Sequence, residues 1–451
     1  MSDRRQVLTF FENEKELMDR RVADGIERYR KGDATLTVLD SAGKPICGAR
    51  VKLTHKKHEF KFGANLFMLD ELESKEKNDL YKERFAALFN MATLPFYWDA
   101  TEPEEGKTRY AKDSTPFYRR PPIDLCIEFC EKHGIEPREH ALAYDQFFPK
   151  WLYNASVEEI KTALERRYRE IAERYADKIP TIEVTNEMMW AHGKGKTAFY
   201  EEPDYVEWCF KLAEKYFPNN QLGINEAQNN VWVHNGRTSD PYYAYTEAAM
   251  LKGARIDAIG MQFHMFRTRE REIERAPMMY SPSNLYRHLD LYARFGKPIQ
   301  ITEITIPAYS EAAEDEAYQA EILKKLYTIW FSHPAVEQII YWNLVDGYAH
   351  FWDPDPAKIR ASQGDMTLGE NIYYGGLLRF DMTPKPAYYA IKDLLQKEWH
   401  TEVEAVTDQN GALSFRGFYG DYEIEIEHNG RIEHRTVTLS AKGDGRICTK
   451  I

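Results

Sequence analysis

Thr181-Ile182-Glu183-Val184-Thr185-Asn186-Glu187 is a β-branched run that closes on a glutamate, and Ile299-Gln300-Ile301-Thr302-Glu303 repeats the form. Such a run reads as a buried parallel strand. The carboxyl ends of parallel strands are where an α/β barrel gathers its reactive groups. Two glutamates placed there, facing one cleft, would supply a carboxylate pair. Either one alone is an ordinary solvated strand end among 72 acidic residues, so the reading depends on what surrounds them.

Outward from these two runs, apolar strand-like stretches alternate with helix-like ones, the pattern of repeated βα units. The strands are read at 60–64, 91–96, 139–143, 182–186, 222–225, 256–262, 299–302 and 338–342, with amphipathic segments such as 157–176 and 315–331 between them. A closed (β/α)8 barrel of the TIM type is the economical fold, with Glu187 closing the fourth strand and Glu303 the seventh. No internal repeat or low-complexity segment interrupts it.

The flanks have a different texture. Residues 1–32 read as an N-terminal helix, with Leu17, Met18, Val22, Ile26 and Tyr29 at helical spacing and Gly32 just beyond. At 33–58 the period changes to two, in Thr35–Leu39 and Ala49–Leu53 around a turn. Period two returns at 399–451, in Glu402–Val406, Leu413–Phe415, Gly420–Glu427 and Arg435–Leu439. Asp40-x-x-Gly43-x-Pro45 with Gly48-Ala49-x-Val51 resembles the front half of a carboxypeptidase-regulatory-like β-sandwich. Thr407-Asp408-x-x-Gly411 with Gly420-x-Tyr422 resembles its back half. Neither half has enough strands to bury two sheets. The expectation is one small all-β sandwich divided in sequence, with the barrel at 59–398 inserted.

Composition bounds the function. A chain of 451 residues, 43% hydrophobic and 29% charged, can bury a large core. A net charge of −12 argues against nucleic-acid and anionic-membrane partners. Aromatic residues make up 14%, which suits sugar stacking and core filling alike. The five cysteines form no metal-ligand pairs, and Cys126 and Cys130 read as one packed helix face. Met1-Ser2-Asp3-Arg4-Arg5-Gln6 lacks the apolar stretch of a signal peptide, so the chain as given reads as cytosolic; a chain relieved of its leader would read the same.

With the strands numbered, the barrel resembles the family 10 glycoside hydrolases, whose typical member is an endo-β-1,4-xylanase. The motifs that carry the resemblance are Phe62-Gly63-Ala64, Trp98-Asp99-Ala100-Thr101-Glu102-Pro103-x-x-Gly106, His140-x-Leu142 with Pro149-x-Trp151, and Asn186-Glu187. They continue with Ile256-Asp257-x-Ile259-Gly260-x-Gln262-x-His264, Ile301-Thr302-Glu303, Trp342 with Asp346, and Pro384-Lys385-Pro386-Ala387-Tyr388. The resemblance implies Glu187 as general acid/base and Glu303 as nucleophile. A retaining mechanism needs two such carboxyls about 5 to 5.5 Å apart. The ionised nucleophile is then expected to raise the pKa of the acid, Glu187. By resemblance, His264 orients Glu303, and Asn186 meets the 2-hydroxyl of the sugar under attack. Gln262 is a neutral amide that can contact a sugar hydroxyl or the nucleophile, and Trp342 and Trp352 wall the same sugar.

Departures from the family pattern limit the substrate. Tyr97 stands where the family has a lysine, and Tyr144-Asp145-Gln146-Phe147 replaces a Trp-His-x-Gln stretch after His140. His140, Tyr144 and Asp145 are therefore expected at the sugar, in a remodelled site. Basic residues in the loops after strands four and six, Gly193-Lys194-Gly195-Lys196 and Arg267, Arg269, Arg271 and Arg275, read as solvated loops or as recognition of an acidic sugar. The long segment 353–375 is expected to cover one end of the cleft. No dinucleotide loop and no metal-ligand cluster implies a cofactor. The expected partner is a polysaccharide or oligosaccharide, cleaved at internal β-1,4-xylosidic linkages. The alternatives are a hydrolase of another, acidic or branched, β-glycoside, and a carbohydrate-binding barrel without turnover. Endo or exo action and oligomeric state stay open.

Overall fold

The computed structural model describes residues 4–191, 196–351, 353 and 355–451. Two strands precede the barrel, β1 (Lys31–Leu39) and β2 (Arg50–His58). The barrel strands are β3 (Lys61–Asn65), β4 (Met91–Pro95), β5 (Glu136–His140), β6 (Thr181–Asn186), β7 (Gln221–Glu226), β8 (Ala258–His264), β9 (Ile299–Thr305) and β10 (Val336–Tyr341). Five follow: β11 (Glu402–Val406), β12 (Ala412–Phe418), β13 (Gly420–His428), β14 (Arg431–Leu439) and β15 (Arg446–Lys450).

Strands β3 to β10 close in chain order into an all-parallel barrel, β10 pairing back to β3. Their β-branched and aliphatic residues, among them Ile182, Val184, Ile224, Ile259, Ile301 and Ile339, are fully buried, as strands covered on both faces require. Helices between them bury one face each; Val157–Tyr175 begins at a Ser156–Glu159 capping box. β5 lies at 136–140 rather than 139–143. Its inward Arg138 is fully buried because it pairs with Glu183 on β6, and a strand carrying a buried ion pair has no apolar signal at that point.

The N-terminal helix is interrupted. A 3-10 turn (Arg4–Leu8) and a short helix (Thr9–Asn13) precede the helix Lys15–Tyr29. The break at Glu14 frees its carboxylate to accept from the Ser283 N–H at 2.6 Å and the Ser281 hydroxyl at 2.9 Å, at the start of the helix Pro282–Tyr292. The helix Lys15–Tyr29 packs so closely on Ala313–Ser332 that a Cβ at Gly25 would stand 2.1 Å from the Ser332 carbonyl oxygen. The low helix propensity of glycine is accepted there for proximity.

Outside the barrel, one sheet orders as β12-β1-β15 and the other as β11-β2-β13-β14. Each takes a single strand from before the barrel and the rest from after it. Leu36 and Val38 of β1, Val51 and Leu53 of β2, Leu413 of β12 and Ile424 of β13 share one buried cluster, the alternation of two half-covered sheets. β15 was not expected from sequence, since Arg446-Ile447-Cys448-Thr449-Lys450 carries little apolar content; it is held by parallel pairing to β1.

Candidate active site

The two glutamates reach one cavity of about 240 Å³ at the carboxyl ends of the strands. Consecutive residues of a strand face opposite ways, yet Asn186 and Glu187 both line this cavity. The β6–β7 register shifts between Glu183 and Thr185, and Glu187 takes a left-handed φ of 52°. Such a conformation costs a non-glycine residue about 1–3 kcal/mol. On β8, alternation brings Gln262 and His264 to the inside, whereas the β8–β9 register shifts between Ile301 and Glu303, so that the consecutive residues Thr302 and Glu303 both reach the cleft floor.

The carboxyls are tied together by amides. Gln262 Nε2 lies 3.0 Å from Glu187 Oε1 and 3.0 Å from Glu303 Oε1, so the two oxygens are separated by at most twice that distance. Asn225 Nδ2 also donates to Glu303 Oε1 at 3.0 Å and lies 3.0 Å from Asn186 Oδ1. Asn225 is fixed in turn by the Thr302 hydroxyl, which donates to its Oδ1 at 2.7 Å. A Cβ at Gly260 would come within 2.6 Å of that Oδ1, which explains a glycine inside β8. On the other oxygen of Glu303, His264 Nε2 stands 3.1 Å away, while His264 Nδ1 contacts the Thr305 hydroxyl at 2.9 Å. Burial lowers the His264 pKa to about 4, so its ring is neutral. With Thr305 donating to Nδ1, Nε2–H is left to donate to Glu303.

Glu187 is held from its other side: the Tyr144 hydroxyl donates to Oε2 at 2.7 Å and Gln146 Nε2 donates to the same atom at 2.9 Å. Tyr144 thus meets the acid/base candidate itself. His140 links Tyr97, at 2.9 Å from Nε2, to Glu183, at 2.8 Å from Nδ1. Trp342 places its ring across those of Phe67, His140 and His264. Asp145 lies away from the cavity wall and accepts the Lys196 N–H at 2.9 Å, since the short 3-10 turn Asp145–Phe147 turns Gln146 inward instead. Trp352 lies outside the described residues.

The Glu303 carboxyl is pushed above the usual carboxylate range. Burial is the main cause and raises it to about 8, with the Glu183 and Glu187 charges adding and His140 and Arg138 opposing. Glu303 is the deeper of the pair, 4% exposed, so desolvation acts on it most. Once Glu187 carries a proton, one of these raising charges is gone, and the amides and the imidazole N–H around Glu303 favour its ionised form. For Glu183 burial acts upward as well, but His140 and Arg138 outweigh it and hold the carboxyl below its ordinary range.

His140, Glu183 and Glu303 bring possible metal-ligand atoms within 4.8 Å of one another. Arg138 already pairs with Glu183, and both His140 nitrogens are engaged, so the donor set suits an internal ion pair rather than a cation.

Three of the loop arginines are already engaged. Arg269 pairs with Asp315 at 2.5 Å, Arg271 with Glu274 at 2.6 Å, and Arg267 donates to Asn229 Oδ1 at 3.0 Å. Gly193, Lys194 and Gly195 lie outside the described residues. The cations that do line the cavity are Arg119 and Arg120, from a proline-flanked loop that offered no periodic signal. Asn225 and Gln146 were legible in principle, one at a strand end and the other inside a motif already singled out. Glu370, behind His350 on the 353–375 side, also faces the cavity.

The strand ends of an eight-stranded parallel barrel thus gather two carboxyls, a histidine and bridging amides in one cavity. The family model described as Glycosyl hydrolase family 10 matches residues 52–394. The chain belongs to that family. Among relatives, the anti-sigma-I factor RsgI6 of Acetivibrio thermocellus is 25% identical over 94% of this chain and 48% of its own length. Endo-1,4-beta-xylanase 1 of Arabidopsis thaliana is 26% identical over 89% of this chain and 37% of its own. The chain therefore spans about half or less of these two. Endo-1,4-beta-xylanase B of Thermotoga neapolitana, 25% identical over 75% of this chain, is covered over 88% of its length. A xylanase structure from Thermotoga petrophila, in complex with xylobiose, superposes with a TM-score of 0.56 at 24% identity, over 75% of this chain and 95% of the other; it shares the fold.

Proposed function

We propose that this chain is a retaining β-glycoside hydrolase that cleaves internal β-1,4-xylosidic linkages, in xylan or xylo-oligosaccharides, by double displacement. The observation that carries the reading is the shared donor: one amide nitrogen, Gln262 Nε2, contacts Glu187 and Glu303 equally. That bridge brings one oxygen of each carboxyl to within twice 3.0 Å of the other, which supports the short spacing of a retaining pair over the about 6.5–9.5 Å that leaves room for an inverting water. Glu303 attacks the anomeric carbon while Glu187 delivers a proton to the leaving oxygen. With the glycosyl-enzyme formed, Glu187 takes a proton from the incoming water, which displaces Glu303. His264, Asn225 and Gln262 hold the nucleophile's oxygens in place, and Tyr144 and Gln146 hold those of the acid/base.

Xylan as substrate rests on relatives named as xylanases, two of which are cited above. A second reading, a sugar-binding barrel without turnover, draws on the relative named as an anti-sigma factor. Reducing-sugar release with product separation decides between them, using unbranched xylan, glucuronoxylan, xylo-oligosaccharides and mixed-linkage glucan. The expected result is xylan cleavage by the wild type and loss of about four orders of magnitude or more in kcat for Glu303→Ala. Release from none of these, with binding retained, would favour the second reading.

A further inference from the structure

Beside the cavity of the carboxyl pair lies a second one of about 510 Å³, and Arg119 and Arg120 belong to the walls of both. They are 3% and 6% exposed. Buried guanidinium groups are ordinarily paired with carboxylates. Among the described residues neither has a carboxylate oxygen within 4.0 Å: Arg119 donates to Asn343 Oδ1 at 3.0 Å and to the Tyr348 carbonyl, and Arg120 to the Arg119 carbonyl at 2.9 Å. Arg119 Nε is buried with no partner. The guanidinium of Arg120 lies 3.9 Å from the Tyr97 ring centroid, with the rings of Phe67 and Phe147 each at 5.2 Å. This aromatic setting fixes a cation without neutralising it. Lys150 and Lys196 add positive charge to the second cavity, against Asp99 and Asp353. A protein of net charge −12 has thus gathered cations at one end of its cleft.

We propose that Arg119 and Arg120 form a subsite for an anionic group, a carboxylate or sulfate carried by a sugar of the substrate, so that an acidic glycan is bound in preference to its neutral counterpart. This deepens the glycosidase reading and rests on it. The planar fork of each arginine matches a carboxylate or sulfate edge. Glu370 in the first cavity and Asp99 in the second feel the charges of Arg119 and Arg120 without forming ion pairs with them, and an anion between the two guanidiniums would supply the direct ionic contact that neither makes. Tyr97 then has two duties, since its ring carries Arg120 and its hydroxyl contacts His140. It thereby couples the subsite to the network that ends on Glu303.

The test is calorimetric binding to the full chain carrying Glu303→Gln, which keeps ligands intact. Three matched ligands are titrated: a xylo-oligosaccharide bearing one glucuronic acid, the same molecule with its carboxyl reduced to an alcohol, and a neutral xylo-oligosaccharide bearing one sulfate. The acid should bind at least about tenfold more tightly than its reduced form, and that ratio should collapse when Arg120→Gln is added. The sulfate arm shows whether carboxylate is required or any anion serves. Equal affinity for the acid, reduced and sulfated forms, a ratio unchanged by Arg120→Gln, or binding of none of the three would overturn the proposal. Should Arg120→Gln fail to fold, Arg120→Lys replaces it, and its loss of the planar fork should cut the ratio. Hydrolysis of neutral xylan by the wild type, run alongside, reads the glycosidase assignment separately.

Discussion

Gln262 and Asn225 on the cleft floor direct their amide hydrogens at carboxylates, whereas Arg119 and Arg120 on the wall beside β4 direct theirs at carbonyls, one amide oxygen and open space. The floor comes from the ends of β6 to β9, whose spacing is set by the barrel's hydrogen bonding. The wall comes from a loop clamped by aromatic rings. A floor whose donors are already spent is preorganised for one transition state. A wall with donors left over is prepared for something that arrives. The difference assigns chemistry to the strand ends and selectivity to the loop.

Removing the bridge should do the most damage. Gln262→Ala frees both carboxyls from their common donor and should lower kcat by about 10²- to 10³-fold on a neutral oligosaccharide, the range found for lost oxyanion-type donors. A loss under about fivefold would make the floor no more ordered than the wall. Tyr144→Phe removes one of two donors to Glu187 Oε2 and should cost about tenfold in kcat/KM, with Gln146 retaining part of the hold. An unchanged value would return Tyr144 to a sugar-contact role only.

The smallest effect is on stability and concerns Glu303. Its folded pKa, about 8, lies above its ordinary 4.5. The folded state therefore holds this proton more tightly than the unfolded chain, and the contribution is full below about pH 4.5 and lost as pH rises through 8. Glu303→Gln cannot ionise, so its Tm relative to wild type should rise between pH 5 and pH 8.5. Calorimetry at the two pH values measures the shift; a constant or falling difference would mean that the charge on Glu303 is not destabilised by its burial.

The barrel strands other than β5, and the two glutamates, were legible because both obey local rules. Apolar β-branched runs mark parallel strands, and a polar residue at the carboxyl end of one marks the mouth. The same rule points to Asn225 at the end of Leu222-Gly223-Ile224-Asn225, a position first read only as strand. What escaped has no periodic signal. Arg119 and Arg120 matter through rings and carbonyls brought from distant segments, Phe67, Tyr97, Phe147 and Tyr348 among them. The arginines that attracted notice in sequence, Arg269 and Arg271, find acids in Asp315 and Glu274, the second of them only three residues away. An abundance of charge in a loop is thus a weaker sign of a site than a buried charge without a partner.

The most direct test of the carboxyl assignment is the anomeric configuration of the first product. Proton magnetic resonance during hydrolysis of a xylo-oligosaccharide by the wild type should show the β-anomer of the new reducing end before mutarotation mixes the two forms, because two displacements restore the starting configuration. Early appearance of the α-anomer would mean a single displacement by water, and Glu303 could not be the nucleophile.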